Sequence, residues 1–143
     1  MPQAILISAV LLLVSVSLHY VALAHVSTLV QRWRCPGYPG LMIAVAAITF
    51  VHVVEAALFA CAFWLGDDGL GIGSFDKGEP MSWMDYLYFS LVNFTTLGRG
   101  DIAPIGHLRL IAGIEAFAGF LLITASGAFI LQVMAGKAPF ART

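Results

Sequence analysis

The sequence predicts an all-α membrane protein with three transmembrane helices and one short re-entrant helix. Three observations carry this reading. Of 143 residues, 60% are hydrophobic and 10% charged, where a soluble domain carries about 25% charge to face water on all sides. Mean hydropathy is +0.92. Three apolar stretches, 4–30, 41–65 and 108–134, are each long enough for the roughly 20 residues of helix that cross a bilayer. The same figures exclude a disordered chain and a disulfide-stapled secreted module. A formal net charge of −1 excludes a basic nucleic-acid binder, so no nucleic-acid partner is expected. Cys35 and Cys61 fit no disulfide framework or metal spacing and read as small apolar fillers.

The first stretch has a signal peptide as its rival. Residues 1–10 contain no Lys or Arg, and the apolar run outlasts a normal signal-peptide core, so it reads as a true span. The second and third stretches are spans by length. A fourth apolar stretch, 83–94, has about half the required length and reads as re-entrant. Ser82 precedes it and Asp85 follows three residues on, a capping box with a shorter acid that starts a helix at Trp83 and ends it before Thr95.

Loop charges orient the chain. The first connection carries Arg32 and Arg34 and no acid, and the tail carries Lys137 and Arg142, whereas the loop after the second span holds Asp67, Asp68, Asp76 and Glu79 against Lys77. The positive-inside rule then puts the first loop and the C-terminus in the cytoplasm, with the N-terminus and acidic loop outside. Trp33, Tyr38, Trp64, Trp83, Tyr86 and Tyr88 fall near the interfaces, where amphipathic rings collect. The Gly- and Asp-rich segment 66–79 reads as a flexible turret, and no soluble domain is expected beyond the spans.

The informative string runs from the short helix into Thr95-Thr96-Leu97-Gly98-Arg99-Gly100-Asp101 and then to the third span. Non-helical backbone at membrane depth is tolerated where protein buries it or it lines a watery path. Gly98 and Gly100 allow the alternating backbone conformations that aim successive carbonyls at one axis, and a ring of carbonyls replaces a cation's hydration shell. The string resembles the pore module of tetrameric potassium channels, and in particular the small bacterial ion-channel family with Thr-Thr-x-Gly-Tyr-Gly-Asp at this place. The resemblance spans about 41–134 and leaves the first helix outside.

It implies a homotetramer in a lipid bilayer, each chain supplying one arc of the filter, that conducts monovalent cations passively and is not an enzyme. The division expected is 1–40 as an extra N-terminal helix with a cytoplasmic loop, 41–136 as the pore domain and 137–143 as a short cytoplasmic tail. The membrane expected is a bacterial inner membrane. Carried over residue by residue, the filter is Thr96, Leu97, Gly98, Arg99 and Gly100, with Thr95 and Asp101 as supports; no resident cofactor or metal is expected, only permeant ions, K⁺ first. Arg99 departs from the family's Tyr. A guanidinium buried there needs partners for its five donors, and Asp101, Asp85 and Glu115 are the acids that reach this region, with Glu115 bracing Arg99 as the favoured arrangement. Three consequences of Arg99 stay open: a structural salt bridge with conduction kept, a changed or closed filter, and an anion-selecting ring.

Other polar residues at membrane depth are candidates by rarity. Thr49, His52 and Glu55 share one face of the second span. They read as a packing pair against neighbouring helices or as a proton or metal site completed by His19 or His25. His107 begins the third span, where an imidazole titrates near neutral pH. Gly113, Gly119, Gly127 and Gly136 run along that span as packing or bending points, with packing favoured at Gly119 and Gly127. Thr124 and Ser126 either line a cavity or bond their own helix backbone. Two other functions stand beside the channel: a non-conducting membrane scaffold locked by Arg99, and a membrane metal or proton site using His52 and Glu55.

Overall fold

A computed structural model describes residues 1–32, 37–98, 100–137 and 140. Arg34, Cys35, Trp33, Arg99 and Arg142, on which parts of the sequence reading fall, lie outside the described residues. Among the described residues four α-helices carry the architecture: α1 Pro2–Arg32, α2 Tyr38–Trp64, α3 Trp83–Phe94 and α4 Leu108–Met134. Three helical segments, Pro2–Arg32, Tyr38–Gly69 and Leu108–Met134, have the length and apolarity to cross a membrane. Pro39 stands in the first turn of α2, where a missing N–H costs nothing.

Two apolar clusters stack along the bundle. One joins the start of α1 (Ala4) to the end of α2 (Phe59, Phe63), to α3 (Tyr86, Phe89) and to the start of α4 (Leu108, Ile111). The other joins the end of α1 (Leu23, Val26), the start of α2 (Ala44, Ile48) and the end of α4 (Phe129, Val133). Helix α2 is therefore antiparallel to both α1 and α4. Ala56, Phe94 and Leu122 form a small third cluster, and a layer of polar side chains described below lies at the same level.

The 66–79 segment departs from the flexible turret expected of its Gly and Asp content. Helix α2 continues through a π-helical turn, Leu65–Gly69. Strand β1, Gly73–Asp76, then pairs antiparallel with β2, Ala103–Gly106, in the register Gly73↔Gly106 to Asp76↔Ala103. The ribbon satisfies backbone groups that a loose loop would leave to water. Phe75 anchors it, edge-on to Phe63, Tyr86 and Phe89 at centroid distances of 5.7, 5.6 and 5.0 Å. Tyr86 is correspondingly not an interfacial ring: it is buried, and its hydroxyl donates to Asp67 at 2.8 Å. Cys61 is exposed on this chain rather than filling its core.

Candidate functional site

The short helix α3 starts as its sequence requires. Ser82 accepts from the Asp85 N–H at 3.3 Å while the Asp85 carboxylate accepts from the Ser82 N–H at 2.7 Å, a reciprocal capping box that satisfies donors at the helix start. Asp85 also pairs with Lys77 at 2.6 Å. The Lys77 ammonium first, and then the Ser82 hydroxyl and N–H, hold the Asp85 carboxyl down at about 2. Asp85 is thus engaged at the helix's first turn by Lys77 and Ser82, and its expected pairing with Arg99 falls on a residue outside the described set.

The other end of α3 turns in a Schellman motif. The Leu97 N–H donates to Val92 O at 3.0 Å and the Thr96 N–H to Asn93 O at 2.9 Å, the paired bonds that close a helix through a left-handed residue. That residue is Thr96, with φ 59°. Glycine is usual there, and a β-branched side chain in this region is an outlier that the surrounding structure must enforce. Gly98 and Gly100 follow with φ 54° and 79°, so every second residue from 96 to 100 is left-handed. Thr95 caps the helix, its hydroxyl facing the Leu91 and Val92 carbonyls at 2.9 and 3.1 Å. Leu97 is exposed on this chain. Asp101 accepts from the Tyr88 hydroxyl at 3.0 Å, which ties the end of the string back to α3.

Behind the string, α3 is fastened to α4. Glu115 is wholly buried. Its carboxylate meets the Ser90 hydroxyl in a short hydrogen bond and accepts from Asn93 Nδ2 at 2.6 Å. Ser90 also reaches Ala56 O at 2.5 Å, and Asn93 donates to Ala112 O at 2.8 Å. These three side chains lock α2, α3 and α4 to each other. The bracing of Arg99 by Glu115 falls on a residue outside the described set; both Glu115 oxygens bond to α3. Ser90 and Asn93 were missed by the sequence reading, although a hydroxyl and an amide three apart on a half-helix signal polar partners for a buried acid.

Gly119 packs against the end of α3, where a Cβ would collide with the Phe94 carbonyl; Gly113 and Gly127 have open space beside them. His107 caps α4, and its N–H donates to Ile72 O at 3.0 Å, beside the ribbon.

The membrane-depth histidines divide. His25 bonds its own helix at Val21 O, 2.8 Å away. His19 joins α2 and α4: its Nδ1 lies 3.1 Å from Glu55 Oε1 and its Nε2 3.1 Å from Ser126 Oγ. His52 Nε2 lies 3.1 Å from the same Ser126 hydroxyl. The expected pair of His52 with Glu55 is therefore a four-residue network across three helices, because His19 comes between them. Ser126 serves this network rather than its own backbone, whereas Thr124 bonds Phe120 O at 2.7 Å.

Three membrane-length helices, with a capped half-helix and a left-handed string between the last two, define a pore-loop membrane protein. The ion channel family model matches residues 41–135, and the chain belongs to that family. Over 57 residues, 39% of this chain, it is 46% identical to the uncharacterized membrane protein YdjJ of Bacillus subtilis (strain 168). Over 87 residues, 60% of this chain, it is 30% identical to the inward rectifier potassium channel Kirbac3.1 of Paramagnetospirillum magnetotacticum. The matched parts are 17% and 28% of those relatives, so the chain spans less than a third of their length. No solved structure matches the chain.

Proposed function

We propose that the chain is one subunit of a homotetrameric channel that passes monovalent cations, K⁺ first, through a filter built from residues 95–101. The observation that carries this reading is the run of left-handed residues at Thr96, Gly98 and Gly100, directly after a half-helix that Glu115 and Gly119 hold against α4. Alternation of left- and right-handed residues turns successive carbonyls to one side of a strand, and four such strands around an axis make a cation-coordinating ladder. One chain supplies one quarter of that ring, so closure requires cyclic symmetry. Asp85 and Glu115 support the filter from opposite ends of α3, and 1–40 adds a helix to the pore domain at 41–136. The chain sits in a bacterial inner membrane with its N-terminus and acidic loop outside and its tail inside, an orientation that the loop charges support. The potassium channel among the relatives supports the choice of cation.

Ion passage has a direct test. In planar bilayers under a tenfold KCl gradient, a cation pore gives a reversal potential approaching about 59 mV of the cation sign, the Nernst factor for a single charge. Replacing KCl by NaCl on one side then shifts it according to selectivity. A potential of anion sign overturns the reading. So does absence of current in the wild type together with current in Arg99→Tyr, which assigns the chain as a closed scaffold.

A further inference from the structure

The geometry points to a transition-metal site of the zinc class at His19, His52 and Glu55, in the membrane-depth layer where α1, α2 and α4 meet. One ligand atom from each of the three residues lies within 4.8 Å of the others. The two imidazole rings stack with centroids 5.3 Å apart and an angle of 17° between planes, so both present nitrogens to one small volume. Glu55 is wholly buried, and its second oxygen, Oε2, has no hydrogen-bond partner. A carboxylate oxygen left bare among apolar helices is costly, and a cation is the partner that its lone pairs lack.

The donor set fits the ion. Two imidazole nitrogens and one carboxylate are a recurrent zinc set that leaves a fourth position open, with bonds of about 2.0–2.2 Å. Bonds of that length hold tetrahedral ligands about 3.4 Å apart, so contraction by rotation of the three side chains completes the site. Ser126 Oγ, 3.1 Å from both His19 Nε2 and His52 Nε2, is placed as an outer partner that fixes the imidazoles. Neutral imidazole and carboxylate favour zinc and its borderline neighbours over Ca²⁺ or Mg²⁺, which prefer all-oxygen shells.

The arrangement gives the metal a task. His19 lies on α1, outside the 41–135 span that the ion channel family model matches, whereas His52 and Glu55 lie within it on α2. Metal bound here clips α1 to the ion channel domain, beside the α4 residue Ser126. Phe94, the last residue of α3, packs its ring 5.6 Å from His52, so the clip also touches the base of the half-helix. The inference is independent of conduction, since metal content is measured on the purified chain whether or not it passes ions.

The test uses detergent-purified full-length protein, stripped with a chelator, dialysed and titrated with zinc chloride alone. The expected result is one zinc per chain, with Co²⁺ taking the same site and showing the visible absorption of four-coordinate cobalt. His52→Ala and Glu55→Gln each weaken zinc binding by more than about a hundredfold, since even outer-shell changes reach that size. His52→Cys, which restores a zinc ligand, retains binding and shows that the helices still assemble. His25→Ala leaves it unchanged. The inference is overturned if folded wild-type protein takes up no stoichiometric zinc. It is also overturned if His52→Ala binds as tightly as wild type, or if His25→Ala loses zinc to the same extent.

Discussion

At the scale of single residues, the half-helix is seated by one missing side chain as much as by those present. Gly119 lies on the buried face of α4, where an added Cβ would run into the Phe94 carbonyl. Backbone on both sides leaves no flexible group to yield, so Gly119→Ala must separate α3 from α4. Overpacking of this kind costs about 1–3 kcal/mol. Gly127, on the same helix, has nothing within 4 Å of its Cβ position, and alanine there gains helix propensity of up to about 1 kcal/mol. Thermal unfolding in detergent is expected to show a lowered midpoint for Gly119→Ala and an unchanged or raised one for Gly127→Ala. Equal midpoints would show that the close approach does not hold the half-helix. The sequence favoured packing at both Gly119 and Gly127, and of the two only Gly119 makes a close approach, Gly127 facing open space on this chain. The sequence placed Thr96 in the filter but not in a left-handed conformation, because a β-branched residue at φ 59° is dictated by the Schellman turn around it and not by its own preference.

At the scale of elements, α3 has only 12 residues, too few to be stable alone in water, so its ends carry weight. The N-terminal end is electrostatic and therefore depends on pH. Lys77 and Ser82 hold the Asp85 carboxyl at about 2, below its ordinary 3.8. A depressed carboxyl contributes stability in full above the unfolded value and loses it as pH falls through the folded one. The contribution of Asp85 should therefore be level above about pH 5 and be lost between about pH 4 and pH 2, so the thermal midpoint should fall less in Asp85→Asn than in the wild type over that window. An equal fall in both proteins would remove Asp85 from the acid response. The capping box was legible because Ser82 and Asp85 are local, three residues apart. The β1–β2 ribbon was not, because its register joins residues about 30 apart, and its Gly- and Asp-rich composition reads as loop until Phe75 is seen against Phe63, Tyr86 and Phe89.

At the scale of the whole molecule, the bundle is two apolar clusters with a polar layer between them, and α1 is the helix whose place sequence reasoning left undecided. Spans α2 and α4 were legible from apolar length, and α4 matches its expected bounds of 108–134. The partners of α1 were not, because hydropathy reports which residues avoid water but not which helix each one faces. Its buried residues, Ala4, Ser8, Ser15, His19, Leu23, Val26 and Ser27, form a seam in which small side chains let helices approach, the means of association available where lipid is as apolar as the protein. Ser15 separates size from polarity as the cause of that approach. It is wholly buried, and its hydroxyl has no hydrogen-bond partner. Ser15→Ala keeps the size and removes an unsatisfied group, so stability should hold or rise by up to about 1 kcal/mol. Ser15→Leu also removes the hydroxyl but adds bulk at a fully packed position, with an expected loss of about 1–3 kcal/mol. Hydrogen exchange along α1, read by mass spectrometry on detergent-solubilised protein, should rise in Ser15→Leu across the seam and stay at the wild-type level in Ser15→Ala. Faster exchange in the alanine variant would mean that the hydroxyl, and not close packing, keeps α1 on the bundle.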